Sequence, residues 1–409
     1  MRVLLVTHYF PPEVGAPQAR LSETARQWAA DGAQVTVLTG MPNHPTGVVA
    51  EAYRGAVVRD ERRDGYRVLR TWLYATANEG IVRKTLGHLS FMLSSVLLGC
   101  WRTGRVDVVV VSSPTFFSIG AAWALARLRR ARLVVEVRDL WPAIFVELGV
   151  LTNRRVIALL ERLELAAYAA ADAVVVVTDG FRDDLVRRGV PAGKVTVIRN
   201  GVDLTAFAGG VPPEAAVREL LGASPGEALV LYIGAHGISQ GLPAVAEAAD
   251  LLRDLPVHLA FVGEGADKRR LAETVARLGL QDRVTMLPAV PRQEVASLLG
   301  AADVCLVPLR DVPLFSTFIP SKIFECLAAE KAVIGAVRGE PADILRAAGA
   351  LVVEPEDRAA LAGAVRALAA DPGWRQEMGR LGRAHVIEHY DRSALARRYA
   401  DLLRTVIAA

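Results

Sequence analysis

The ten residues ALVLYIGAHG, Ala228 to Gly237, decide the fold. Six apolar residues run without a polar break and stop at a glycine. Runs of that kind are strands buried on both faces, the type found in parallel sheets covered by helices. Similar runs precede it: RVLLVTH (Arg2 to His8), AQVTVLTG (Ala33 to Gly40), VDVVVVSS (Val106 to Ser113), ARLVVEVRD (Ala131 to Asp139), ADAVVVVTDG (Ala171 to Gly180) and KVTVIRNGVD (Lys194 to Asp203). HLAFVGEG (His258 to Gly265), RVTMLPAV (Arg283 to Val290), DVCLVPL (Asp303 to Leu309) and AVIGAV (Ala332 to Val337) follow. Amphipathic stretches separate them, such as LSETARQWAADG with Gly32 as its stop. Two series of alternating strands and helices predict two αβα domains, and 409 residues exceed one ordinary core. The seam falls in RNGVDLTAFAGGVPPEA, where Gly and Pro cluster. The expected division is 1–200, 201–385 and an amphipathic C-terminal helix within 386–409.

Composition narrows the class. Apolar residues make up 52% and charged residues 22%, which excludes a disordered chain. A net charge of +4 fits an anionic partner, whether nucleotide, lipid phosphate or membrane surface. Arginines are scattered without interleaved aromatics, so nucleic acid is not expected. Cys100, Cys305 and Cys326 lie far apart in apolar segments, as buried thiols of a reducing compartment do. Cys and His show no metal-ligand spacing. MRVLLVTHYF enters the first strand with no signal peptide before it, which predicts a cytoplasmic location. TLGHLSFMLSSVLLGCW (Thr85 to Trp101) is apolar and flanked by Arg83, Lys84, Arg102 and Arg105. It is short for a span, and reads either as a buried helix or as an interfacial one peripheral to the inner membrane.

Ligands in parallel sheets bind beyond the carboxyl ends of the strands, and with two such sheets the cleft between them is the expected site. Four stretches lie at such ends. In PSKIFE, Pro320 fixes the backbone, Ser321 is an N-cap and Lys322 adds charge to a helix start suited to phosphate. Glu325, three residues on, is placed to accept from vicinal hydroxyls; an ordinary surface ion pair with Lys322 is the alternative. Glu340 follows after Gly339. In GAHGISQGL, Gly237 and Gly241 permit close backbone approach, and His236, Ser239 and Gln240 can donate to phosphate; a ligand-free glycine turn is the alternative. In THYFPPEVGAPQAR, Gly15 precedes a helix and Arg20 is a candidate phosphate contact or a solvated charge. The absence of G-x-G-x-x-G argues against a nicotinamide enzyme. In VRDLWPAIF, Arg138 and Asp139 close a buried strand, with Asp139 a functional carboxylate or a helix cap.

Taken together, FPPEVGAPQAR, VRDLWP, IRNGVD, GISQGL, FVGEG, PSKIFECLAAEKAVI and RGEPADI resemble glycosyltransferase family 4, retaining enzymes of the GT-B fold. DLWP and PSKIFE are most similar to the branch of bacterial surface-polysaccharide amino-sugar transferases. The resemblance implies two facing Rossmann-like domains with a C-terminal helix crossing back to the first. It implies that Glu325 holds the ribose of a nucleotide sugar, that Lys322 and the Ser321 to Ile323 amides face the diphosphate, and that Gly15 approaches the diphosphate from the first domain. The turn Gly237 to Gly241 would bind phosphate, and the stretch beginning Leu287-Pro288 would read the base. Asp139, Arg138 and Lys322 are the implied catalytic residues.

Thr317 stands where the family has its first motif glutamate, and His236 and Gln240 replace the usual Arg and Lys of the phosphate loop. Lys322 and Arg20 are then the expected sources of positive charge. No D-x-D occurs, so a metal-independent reaction is expected, with the nucleotide sugar, UDP-linked, as co-substrate and no further cofactor. The implied acceptor is a lipid-diphosphate-linked glycan. A small soluble acceptor, a nucleotide-sugar epimerase or a catalytically silent sugar-nucleotide-binding protein are the alternatives.

Overall fold

The computed structural model describes residues 1–409 except 14, 45, 77–79, 114, 115, 148, 150 and 209–214. The chain forms two compact units, Met1–Asn200 with Arg392–Ala409, and Gly201–Asp391. The helix Pro372–His389 stays with the second unit, so the chain rejoins the first at Arg392, later than the expected 386.

The first unit is built on strands β1 (Arg2–Val6), β2 (Gln34–Gly40), β3 (Val58–Arg63), β4 (Tyr66–Thr71), β5 (Val108–Ser112), β6 (Arg132–Val137), β7 (Ala173–Val176) and β8 (Val195–Val197). Their order in the sheet is β3-β4-β2-β1-β5-β6-β7-β8. All pairs are parallel except β3 with β4, a hairpin at the edge. The valine-rich strands are covered on both faces. Val3, Leu5, Val108 and Val110 face a layer that includes Trp28 and Tyr399, while Leu4, Val6, Val109 and Val111 are equally buried on the other side. The helix Arg392–Ala408 belongs to this unit: Trp28 Nε1 donates to the Ala396 carbonyl at 2.8 Å, Tyr399 packs edge-on to Trp28, and Arg392 pairs with Glu23.

The hairpin β3–β4 has no counterpart among the expected strands. Its signal was nonetheless present: Asp64-Gly65 forms the connecting turn, with φ of 46° and 85°. The expected strands at Lys194–Asp203 and Arg283–Val290 shorten to Val195–Val197 and Val284–Leu287, since pairing stops where neighbouring strands end.

The second unit has β9 (Ala228–Ile233), β10 (Val257–Val262), β11 (Val284–Leu287), β12 (Val304–Pro308), β13 (Ala332–Ala336) and β14 (Leu351–Val353) in the order β11-β10-β9-β12-β13-β14, all parallel. Besides β2 beside β4, each sheet has one central pair that is not consecutive in the chain: β1 beside β5, and β9 beside β12. Connections leave such a pair in opposite directions, opening a crevice at their carboxyl ends. The loops after β1, β9 and β12 carry most of the candidate residues, and the ends of β6, β11 and β13 carry the rest.

Candidate functional site

In the second unit three segments meet beyond β9, β10 and β12. β9 ends at Ile233 and turns at Gly234, φ 136°. A Cβ on Gly234 would stand 2.8 Å from Lys322 Nζ, and one on Gly263 would collide with the Gly234 carbonyl. Only glycines let the two loops and the lysine pack this closely. Hydrogen bonds fix the loops: Tyr232 Oη donates to Ala235 O (2.6 Å), His236 N to Glu264 O (2.8 Å) and Asp267 N to His236 O (2.9 Å). Lys268 Nζ ties the ends of β10 and β11 by donating to Gly263 O (3.0 Å) and Leu287 O (3.3 Å).

Lys322 begins the helix Lys322–Ala328. Its Nζ is buried, lies 3.5 Å from the centroid of the Tyr232 ring, and has no hydrogen-bond partner among the described residues. Burial pushes its pKa down to about 7, against the smaller opposing influence of Cys326 and Glu325. Beside it, His236 is fully buried, and neither ring nitrogen is within hydrogen-bond geometry of a partner among the described residues. Burial first, and then Lys268 and Lys322, push that imidazole down to about 4, so it is neutral at pH 7. Gln240 Oε1 is a fourth buried polar atom without a partner among the described residues. Buried polar groups are nearly always hydrogen-bonded. Three side chains with unsatisfied atoms gather on the loops after β9 and β12, and of these Lys322 and His236 can donate to an anion.

The other candidates fall around this centre. Gly237 precedes the short turn Ile238–Gln240; the Ser239 carbonyl in that turn accepts from Arg310 N (2.9 Å). Gly241, at φ 61°, opens the helix Leu242–Asp250. Glu325 is half-buried, with Oε1 3.6 Å from Arg292. The ion pair of Glu325 is therefore with Arg292, and not with Lys322 as the alternative reading has it. Glu340 starts the helix Glu340–Ala347 behind Gly339, which packs on the Ser316 carbonyl. Thr317 Oγ1 donates to Leu314 O (2.8 Å) and so closes its own turn. The Leu287 carbonyl is occupied by Gly263 N (3.1 Å) as well as Lys268, and Pro288 follows exposed.

Two expectations change here. Ser321 is not an N-cap: its backbone is helical (φ −60°, ψ −25°) and its side chain makes no capping bond. The Ile323 N–H donates to the Pro320 carbonyl at 3.1 Å, so it is already engaged. The amides of Ser321 and Lys322 have no backbone partner among the described residues.

In the first unit Gly15 has extended backbone just ahead of the helix Ala16–Ala30, and Gln18 turns its buried, unpartnered Oε1 toward it. The loop before it is held by Glu13, whose carboxylate accepts from Phe10 N (3.0 Å), Asn43 N (2.8 Å) and His44 N (2.9 Å). Arg20 is neither a phosphate contact nor a solvated charge. It is buried, 3.4 Å from Glu136, and donates to Arg199 O and Asn200 Oδ1. Arg138 and Asp139 follow β6. The Arg138 backbone N–H donates to Ser113 Oγ (3.1 Å), its Nε is buried without a partner, and burial lowers its pKa. Burial raises the Asp139 carboxyl, and Arg138 pulls it back. No capping bond from the Asp139 side chain appears among the described residues.

Sequence reasoning missed His8. It closes β1, is buried, and its Nδ1 lies 3.3 Å from Nδ1 of His88; burial holds its pKa well below 6.5. Its position directly after an apolar strand was a readable signal. Tyr232 was also missed, because inside β9 it looks like any core residue.

Among the described residues no group of three or more His, Cys, Asp or Glu is placed to hold a metal ion. Residues 15–201 match the family described as glycosyl transferase 4-like domain, and residues 215–385 match glycosyl transferases group 1. WcaI of Escherichia coli K12, a glycosyl transferase named for colanic acid biosynthesis, is 28% identical over 334 residues, 80% of this chain and 81% of the relative. The D-inositol 3-phosphate glycosyltransferase of Kineococcus radiotolerans is 32% identical over 400 residues, 90% and 85% of the two chains. Among solved structures, sucrose-phosphate synthase of Thermosynechococcus elongatus superposes with a TM-score of 0.77 at 22% identity, covering 100% of this chain and 99% of its own. Anabaena HepE in complex with UDP-glucose gives 0.73 at 16%, covering 99% and 100%.

Proposed function

Because the chain belongs to glycosyltransferase family 4 and has the GT-B fold, we propose that it moves an N-acetylamino sugar from a UDP-linked donor to a hydroxyl of a lipid-diphosphate-linked glycan, with retention of the anomeric configuration. The observation that carries this reading is the buried Lys322 ammonium with no hydrogen-bond partner among the described residues. A diphosphate supplies the charge that this group lacks. Lys322, the amides of Ser321 and Lys322, and the turn Gly237 to Gly241 with Ser239 and Gln240 hold the two phosphates. Neutral His236 donates one N–H to the same group. Glu325 takes the ribose hydroxyls on releasing Arg292, and Glu340 approaches the sugar beside the Thr317 turn. Pro288 and the backbone after Leu287 border the base. Gly15, just ahead of the helix Ala16–Ala30, is the first unit's candidate contact for the nucleotide sugar.

As the bond to the sugar breaks, negative charge grows on the departing diphosphate. Preorganised donors aimed at that charge lower the barrier most, and Lys322 does this without a metal. The acceptor hydroxyl attacks on the leaving-group face and passes its proton to the departing phosphate. Asp139, kept at a raised pKa by burial, orients that hydroxyl, with Arg138 holding the carboxylate. The lipid-linked acceptor is met at the inner membrane face by a peripheral, cytoplasmic enzyme. WcaI and the solved UDP-glucose complex of HepE support the polysaccharide and UDP parts of this reading.

The test is release of nucleoside diphosphate from a panel of UDP- and other nucleotide sugars, with lipid-linked and soluble acceptors supplied separately. Release that depends on a lipid-linked acceptor is expected. Release without any acceptor, or tight donor binding with no turnover on any acceptor, would contradict it.

A further inference from the structure

The helix Ile81–Ser94 and the π-helical turn Ser95–Gly99 that continues it bury one side on the first sheet, where Phe91 is fully buried and Gly99 lies on Leu38. Their other side is apolar as well. Leu86, Leu93, Leu97 and Trp101 are 49, 57, 67 and 86% exposed. Steps of seven, four and four residues put them in one outward stripe. The helix Phe116–Arg129 packs alongside, with Gly120 against Met92, and exposes Trp123 and Leu128. An amphipathic helix on a water-facing surface turns polar residues outward; these two turn out leucine and tryptophan.

The sequence that forms the patch is strongly basic, although Asp60, paired with Arg67, lies near Arg102. From Gly80 to Val135 there are eight Lys or Arg and a single acid, Asp107, whose carboxylate is held by Arg2. Arg83 and Lys84 are exposed at one end of the stripe, and Arg102 and Arg105 at the other. No helix among the described residues is long and apolar enough to cross a membrane. Leucine and tryptophan framed by cations are what an interfacial helix presents to anionic lipid.

We propose that this two-helix face docks on an anionic bilayer, with Leu93, Leu97 and Trp101 set among the acyl chain tops and the arginines on lipid phosphates. The inference names the lipid partner of the reading above, and rests on it for the purpose of docking. His88, two residues from Leu86, touches His8 at the carboxyl end of β1. The docked helix therefore also touches the carboxyl end of the first sheet, at the loop after β1.

The test is co-sedimentation of the full chain with vesicles of phosphatidylcholine alone or with about a third phosphatidylglycerol. Binding to the anionic vesicles alone, weakening with salt, is expected. Leu97→Glu with Trp101→Glu lowers it by at least about tenfold. Arg102→Gln with Arg105→Gln lowers it less and flattens its salt dependence. Both variants keep wild-type circular dichroism and wild-type turnover of a short-chain soluble acceptor. Wild-type chain that ignores anionic vesicles, or a Leu97→Glu, Trp101→Glu chain that binds them as wild type, overturns the proposal. Vesicle binding needs no acceptor, so its presence without any sugar transfer would tell against the function and not against this surface.

Discussion

Lys322 is held in a state that water would not choose. Its ammonium is buried over Tyr232 and has no acceptor among the described residues. Folding lowers its pKa from 10.5 to about 7, so between those values the unfolded chain binds more protons than the folded one. Stability then rises with pH across that window, and below it the buried charge is a standing penalty. Lys322→Met should therefore raise the ligand-free melting temperature at pH 7 or below, by about 2–4 °C, while donor affinity falls by about a hundredfold or more. Calorimetry with and without UDP reads both. A variant that melts lower and still binds would remove the lysine from the account. Asp139→Asn keeps the shape but not the proton chemistry. Its kcat should fall by about a hundredfold with little change in donor KM; unchanged turnover would end its role. Part of this scale was legible. Lys322 could be singled out from the loop that precedes it. Its burial could not, because Tyr232 lies on β9, far away in the chain. Arg20 was misread for the same reason: its partner Glu136 sits on β6.

At the level of elements, continuous valine runs announced nearly every parallel strand, because a strand buried on both faces has no polar alternation to confuse it. The edge hairpin β3–β4 escaped because VRDERR is mostly polar and exposed on both sides. The Ser321 cap failed because the chain enters the helix Lys322–Ala328 already helical. The last helix offers a test of how the chain is divided. Leu403 is fully buried in the first unit's core. Leu403→Ala should cost about 2–5 kcal/mol, and hydrogen exchange should show the loss in β1 to β8 although the mutation lies after the second unit in sequence. Loss of protection confined to β9 to β14 would refute that assignment. Gly234→Ala tests the close approach after β9. Its Cβ would stand 2.8 Å from Lys322 Nζ at a φ unfavourable to alanine, so UDP affinity should drop by about tenfold or more, with a modest loss of melting temperature.

For the whole molecule, the sequence's two series of strands became two sheets, each with a switch point at its carboxyl end. The orphan polar atoms of the second unit, on Lys322, His236 and Gln240, gather beyond β9 and β12. Strand order is a long-range property that periodicity alone does not encode, so family likeness had to supply it. The central claim is that this crevice takes a diphosphate through Lys322. Isothermal titration of UDP at pH 8, in buffers of different ionisation enthalpy, tests it most directly. A free amine near pH 7 is mostly neutral there, so binding should take up close to one proton, affinity should weaken as pH climbs further, and both effects should vanish in Lys322→Met. Equal affinity in the variant, or binding with no proton uptake in the wild-type chain, would contradict it.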